Sequence, residues 1–252
     1  MKNKKYLYQF SSVILILAIW FLIGFLQLIN PVFLPKLEST FSSLIDYMTD
    51  KEFYTSFFAT IYRALMGLVL SILFGVPMGL LLGKSKKLYD FFDIPIEFLR
   101  AIPASALFPL FILFFGFGDI SKIAIVFYGC SLIIIINTIY GVAPNSEKQA
   151  RINMMKTLGA SNYQIFSKVI FRDALPNISS GIRISISLAF VLVVVTEMFL
   201  SANDGIGKMI YDMYLQYKIP EMYALILILG FIGFGFNKLY VLLESKYLFW
   251  NK

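Results

Sequence analysis

The residues able to do chemistry in this chain are few, and most lie where charge is expensive. Arg63, Glu97, Arg100, Arg183 and Glu197 all fall inside long apolar runs. Charges in such places pair with one another, face water or mark a transport path. Glu97 and Arg100 stand three apart, so on a helix they share a face and can pair. Arg183 and Glu197 are 14 residues apart, about 21 Å along a helix, and cannot reach each other. Glu197 follows Val193-Val194-Val195-Thr196, so an ionised carboxylate there needs water, a cation or a hydrogen-bond donor. It reads either as an interface glutamate or as part of the lining or outer gate of a path. Arg63, Glu97, Arg100 and Arg183 read as structural intramembrane charges.

Other chemistry is excluded by residue type. Histidine is absent and Cys130 is the single cysteine, which removes His-based nucleophile pairs, His-ligated zinc, multi-Cys metal clusters and an intrachain disulfide. No catalytic residue, cofactor site or metal site is expected. Gly79-Leu80-Leu81-Leu82-Gly83-Lys84-Ser85 mimics a phosphate-binding loop, but that pattern needs four residues between its glycines and a preceding strand. Here three residues intervene, inside an apolar helix. With no other such loop, energy from ATP must come through a partner. A membrane-embedded enzyme is disfavoured, since there is neither G-x-S-x-G nor a close intramembrane carboxylate pair.

The elements that position these residues are set by apolarity. Of 252 residues, 59% are apolar and 15% charged, against roughly 25% charged in soluble domains. A spanning helix needs about 20 apolar residues. Six runs qualify, at 10–29, 61–82, 94–115, 121–141, 179–200 and 223–242. The first has a basic start at Lys2, Lys4 and Lys5, as a signal peptide would, but Asn30-Pro31-Val32-Phe33 offers no cleavage site, so a retained anchor is expected. Pro103 and Pro109 interrupt the third run, and Gly116-Phe117-Gly118-Asp119 closes it. Broken helices in transporters face cavities, which makes Ala101, Ile102, Pro103, Ala104 and Ser105 a candidate pore segment, with a packing kink as the alternative. Gly67, Gly75, Gly79, Gly230, Gly233 and Gly235 are expected to permit close helix contact.

Basic residues orient the spans. With the N-terminus inside, 13 of the 22 Lys and Arg fall in inner segments, against five (Lys36, Lys51, Lys122, Lys208 and Lys218) in outer ones. Both termini are then cytoplasmic in a multi-pass membrane protein, and the net charge of +7 needs no nucleic acid. The predicted organisation is a cytoplasmic N-terminus (1–9), a first span (10–29), an outer segment (30–57), a five-span core (58–242) with an inner loop (142–178), and a cytoplasmic tail (243–252). In the outer segment Leu37, Phe41, Leu44, Ile45 and Met48 recur at helical spacing and predict an amphipathic helix.

The inner loop is the informative one. Asn145 to Leu158 reads as a helix, with Gly159 where a helix-ending residue of positive φ belongs. Ser161-x-x-Gln164 is a capping box that opens a second helix. The exposed face is expected to carry Lys148, Arg151, Lys156 and Lys168, and Met154, Met155, Leu158, Ile165, Phe166 and Val169 an apolar surface. Three readings remain: a loop packed on its own spans, a helix-turn-helix DNA reader, disfavoured because membrane helices tether both ends, and a docking knob for a soluble partner, which adaptable methionines suit.

The stretch Gln149 to Phe199 resembles the signature region of type I ABC importer permeases, and Leu99 to Val126 resembles the nitrate, sulfonate and taurine subgroup. The likeness runs from about Phe33 to Trp250. It implies an all-α membrane protein of about six transmembrane helices with the MetI-like permease fold. The family's inner loop reads E-A-A-x-x-x-G followed by I-x-L-P. Here Gly159 matches the glycine, while Asn153, Met154 and Met155 replace E-A-A and Phe171-Arg172 replaces L-P. By resemblance, Asn153, Met154, Met155, Lys156, Thr157, Leu158, Gly159, Ala160 and Ser161 form the coupling segment for a dimer of ATPase subunits, which bind the ATP. The other implied partners are a second permease copy or homologue and an extracytoplasmic solute-binding protein, with membrane lipid around them. An acidic residue at the position of Glu197 also fits the family. A stand-alone secondary carrier is the rival, disfavoured because the two halves show no evident repeat.

Overall fold

The computed structural model describes residues 2–199 and 204–247, so position 200 of the fifth predicted span and the tail end with Lys252 lie outside it. Among the described residues every regular element is helical. The helices are α1 (Lys2–Phe25), α2 (Leu37–Tyr47), α3 (Lys51–Lys84), α4 (Lys86–Ala101), α5 (Phe108–Phe115), α6 (Asp119–Val142), α7 (Ser146–Thr157), α8 (Asn162–Ile165), α9 (Phe171–Phe199), α10 (Ile206–Leu215) and α11 (Ile219–Tyr247). A single π turn at Phe166–Ile170 joins α8 to α9, so Asn162–Phe199 is one 38-residue rod.

Four helices are long and apolar enough to cross a bilayer alone: α3, α6, the α8–α9 rod and α11. The predicted third span is not one straight helix. It divides into α4 and the Ala104–Phe115 segment, bent by 84°. The reason is Pro103, which disfavours α geometry at Ile102, and Ile102 is extended (φ −81°, ψ 117°). Pro109 does no damage, because it sits in the first turn of α5, where its missing N–H has no helical partner. The first predicted span also ends early, at Phe25, and its apolar part Ser11–Phe25 is short for a lone crossing. Gln27 in the left-handed region (φ 52°) turns the chain there.

The core is a three-helix stack of α3, α6 and α9 in which glycine sets the spacing. Gly67, Gly75, Gly79 and Gly83 repeat along one face of α3 at helical intervals. A Cβ at Gly67 would lie 2.6 Å from Val126, and one at Gly79 2.5 Å from Thr138. Backbone approach of this kind is how membrane helices gain packing without a hydrophobic drive between them. Ile125, Val126, Cys130, Ala189 and Val193 fill the interior. Gly230, Gly233 and Gly235 differ from the expectation, since nothing lies within 4 Å of where their Cβ would be. They open α11 outward.

α11 is tied to α9 at one end, where Ser179 Oγ donates to Glu244 Oε1 at 2.7 Å and lies 2.9 Å from Tyr240 Oη. At the other end α2, the predicted amphipathic helix, rests on it. Thr40, Ser43 and Tyr47 are buried and Leu44 packs on the core, while Phe41, Ile45 and Met48 are exposed. Trp20 donates its indole N–H to the Pro35 carbonyl at 2.9 Å, holding α1 to the same end.

If glycine sets the α3–α6 distance, Gly79→Val overpacks it, and such insertions lose roughly 1–3 kcal/mol. The expected result is a lowered thermal unfolding midpoint in detergent, with Gly233→Ala unchanged.

Candidate functional site

At the α7 end of the bundle the inner loop is a compact knob. Asn145 Oδ1 accepts from the Lys148 N–H at 2.7 Å and caps α7. Its C-terminus closes through the Gly159 N–H to Lys156 O and the Ala160 N–H to Met155 O, both 3.0 Å, with Gly159 at φ 75°. The capping box is formed in both directions: the Ser161 N–H donates to Gln164 Oε1 at 2.8 Å, and the Gln164 N–H to Ser161 Oγ at 3.3 Å. Around the bend Met154, Leu158 and Tyr163 are 64%, 71% and 78% exposed. Asn153, Lys156, Thr157, Gly159 and Ser161 are exposed as well, with Met155 and Ala160 half-buried.

The knob's faces are sorted differently from the sequence expectation. Ile165 and Val169 are buried against the bundle rather than on the apolar surface. Lys148 is only 4% exposed, because its ammonium donates to the carbonyls of Gly141 (2.7 Å) and Ala143 (3.0 Å), which end α6 with no helical partner. Burial pushes this ammonium below the ordinary lysine value. Arg151 pairs with Asp173 at 2.8 Å, and Lys84 at the end of α3 lies 5.5 Å over the Phe166 ring. The knob is therefore fastened to α6, α9 and α3 together.

The broken segment lies between α4 and α5. Ala101, Pro103 and Ser105 are exposed, and Ile102 is half-buried. The Leu99 carbonyl at the break accepts from both the Ile102 N–H at 3.2 Å and Tyr128 Oη at 2.6 Å. Glu97 and Arg100 pair at 2.7 Å with both side chains about half exposed. Arg183 is exposed on α9 and makes no ion pair among the described residues.

The opposite end holds a buried charge network centred on Arg63, 3% exposed. Its Nε donates to Asp119 Oδ1 (2.7 Å) and its Nη1 to Glu197 Oε1 (2.7 Å) and the Asp204 carbonyl (3.0 Å). Nη2 donates to the Asp204 carboxylate. Glu197, 1% exposed, also accepts from the Gly207 N–H at 3.0 Å and lies 2.8 Å from Thr60 Oγ1, which accepts from the Ile206 N–H at 2.9 Å. Gly205 is held at φ 126°, and a Cβ there would meet the Glu197 carboxylate at 2.4 Å. Lys122, 2% exposed, stands 3.9 Å from Asp119. Glu197 thus finds its donors inside the chain, and the network ties α3, α6, α9 and the start of α10.

Sequence reasoning placed Arg63 and Glu197 separately and missed Asp119, Asp204 and Thr60. The partners are 134–141 residues apart for the Arg63–Glu197 and Arg63–Asp204 contacts. The available signal was Asp204-Gly205-Ile206-Gly207, an acidic residue before paired glycines that admit close backbone approach.

A membrane bundle with a capped, apolar-tipped knob at one end and a closed charge network at the other has a counterpart among known sequences. The profile of the binding-protein-dependent transport system inner membrane components matches residues 71–248. The chain belongs to that family. It is a multi-pass inner-membrane permease component of the ABC importer type rather than an enzyme or a stand-alone carrier. A protein of Methanocaldococcus jannaschii provisionally named ABC transporter permease is 32% identical over 99% of this chain and 94% of its own. SsuC of Bacillus subtilis, provisionally named an aliphatic sulfonates transport permease, is 33% identical over 94% and 84%. The taurine transport system permease TauC of Escherichia coli is 30% identical over 79% and 74%. In fold, the permease resembles a chain of the MetNI methionine ABC transporter in an inward-facing conformation, with TM-score 0.64 and 18% identity over 77% of this chain and 94% of that one.

Removing one partner of a buried pair strands the other charge, a loss of about 3–5 kcal/mol. Arg63→Met is therefore expected to lower the thermal midpoint sharply. Arg63→Met combined with Glu197→Met should recover part of the loss, which a double-mutant cycle on detergent-solubilised protein reads directly.

Proposed function

We propose that the permease forms, with a second copy or a homologue, the translocation path of an ATP-driven importer. The end bearing α7 and α8 faces the cytoplasm, together with both termini, and there the knob seats in two partner ATPase subunits that bind the ATP. A soluble binding protein delivers the solute at the other end. The observation that carries this reading is the cluster of Met154, Leu158 and Tyr163, exposed side by side on a bend whose geometry is fixed by Gly159 and the Ser161–Gln164 box. An apolar tip on a rigid polar stem suits a groove in a soluble partner.

The knob and the outer network share one rod. From Asn162 to Phe199 the chain is 38 residues, about 57 Å at helical rise. Closure of the ATPases displaces the knob, the rod carries the displacement as a body, and Glu197 at its far end opens or closes the outer gate through Arg63. The bend at Ala101, Ile102, Pro103 and Ser105 lines the path, since freed backbone groups there need water or protein. A small organic sulfonate, the solute named for SsuC and taurine for TauC, is the first class to assay. Glu197 is buried and held by Arg63, Thr60 and the Gly207 N–H, so it is not presented to a passing solute as a bare carboxylate.

The reading is tested on the surface rather than in the fold. Leu158→Asp and Tyr163→Asp alter exposed side chains, and loss of an interface anchor is worth about 2 kcal/mol or more. Co-purification with the ATPase is expected to fall by more than tenfold, and transport with it, while the unfolding midpoint stays put. Gly159→Val should also lose association, by straining the left-handed bend, and unlike the surface variants it lowers the midpoint. Unchanged association and transport-coupled hydrolysis in all three would refute the docking assignment.

A further inference from the structure

Between the ends of α6 and α9 and the first turns of α7 lies a polar cavity of about 310 Å³ that the coupling role leaves unused. Its lining includes Lys148, Arg151, Arg172, Asp173, Asn145 and Asn177. Three cations face one carboxylate, so the cavity carries an excess of positive charge. The geometry of each cation differs in a telling way. Lys148 is buried and fixed by two carbonyl oxygens, yet no carboxylate lies within ion-pair range of it among the described residues. Arg151 is oriented by Asp173. Arg172 is exposed, makes no ion pair among the described residues, and stands where the family pattern has Leu-Pro.

A buried, unpaired cation beside open space calls for an anion, since burying charge is tolerated when it is paired. Depth says which kind. The cavity opens at the last turn of α6, beside Tyr140, which is 64% exposed as an interfacial aromatic would be. The cavity lies at the end of α6, a helix long and apolar enough to cross a membrane. Resting on the proposed orientation, with this end cytoplasmic, that is the level of lipid headgroups, where basic pockets between helices take anionic headgroups.

We propose that this cavity is a binding site for a phosphate-bearing anion, supplied by an anionic phospholipid headgroup or by free phosphate. Arg172 supplies the mobile charge, Arg151 and Lys148 the fixed ones, and Asn145 and Asn177 the neutral polar rim.

The full-length chain in mild detergent is titrated with phosphatidylglycerol, with phosphatidylcholine and, separately, with inorganic phosphate, and read by thermal midpoint and by lipid retention in native mass spectrometry. A lipid site raises the midpoint with phosphatidylglycerol and retains it over phosphatidylcholine. Each basic side chain near an anionic headgroup contributes enough that Arg172→Gln should cut that preference roughly fivefold. A free-phosphate site instead responds to inorganic phosphate with the two lipids alike, and loses that response in Arg172→Gln. Arg172 is exposed, so this variant keeps its fold, and Arg151→Gln provides a second loss. The proposal is overturned if neither lipid nor phosphate shifts the wild-type midpoint, or if both variants respond as wild type. An equal loss in Lys246→Gln, which does not line the cavity, would also overturn it by showing diffuse attraction.

Discussion

The structure depends on one buried arginine. Arg63 sits where α3, the start of α6, the end of α9 and the link to α10 converge, and its guanidinium reaches a carboxylate from each of Asp119, Glu197 and Asp204. Five donors in a rigid fork can serve three acceptors at fixed angles, which a lysine cannot do. With Arg63 and Glu197 buried and Asp119 and Asp204 about half exposed at the rim, this arrangement fixes the relative position of four elements at once. Glycine completes it, because Gly205 and Gly207 let the backbone lie against Glu197 where any Cβ would collide.

At the opposite end the same logic runs through backbone carbonyls. Lys148 caps the end of α6, Arg151 holds Asp173 on α9, and Lys84 covers Phe166, so the knob moves only with the helices beneath it. Between the two ends run the α3–α6 glycine contact and the continuous α8–α9 rod, in which the π turn at Phe166–Ile170 and Pro176 interrupt the regular hydrogen-bond ladder. The open parts are the bend at Ile102-Pro103 and the side of α11 that carries exposed Phe231 and Phe234. The proposed lever follows from that division into stiff and open parts.

How much of this was legible in the sequence depended on the range of the interaction. Local chemistry read well: the Ser161–Gln164 box, the left-handed Gly159 and the Glu97–Arg100 pair need only neighbours within four residues. Apolar run length marked the spans, yet it could not see that Pro103 turns one of them through 84°. Periodicity found α2 but carried no information on which residues would be buried, and Thr40 and Tyr47 face the bundle while Phe41 and Ile45 are exposed. Lys148 was placed at the surface because lysine usually is, and its carbonyl partners appear only once α6 ends beside α7. The Arg63 network was invisible for the same reason, its members being brought together by tertiary packing alone.

The account's central claim is that knob and outer gate are two ends of one stiff rod. It is tested most directly by electron–electron double resonance on the assembled importer, with spin labels at exposed Asn162 and Val191 and Cys130 replaced by alanine. The account predicts the same distance distribution within one chain in the resting and the vanadate-trapped complex, while the distance between equivalent labels on the two permease subunits changes. A shift in the intrachain distance would contradict it, by showing that the π turn at Phe166–Ile170 flexes and absorbs the ATPase motion.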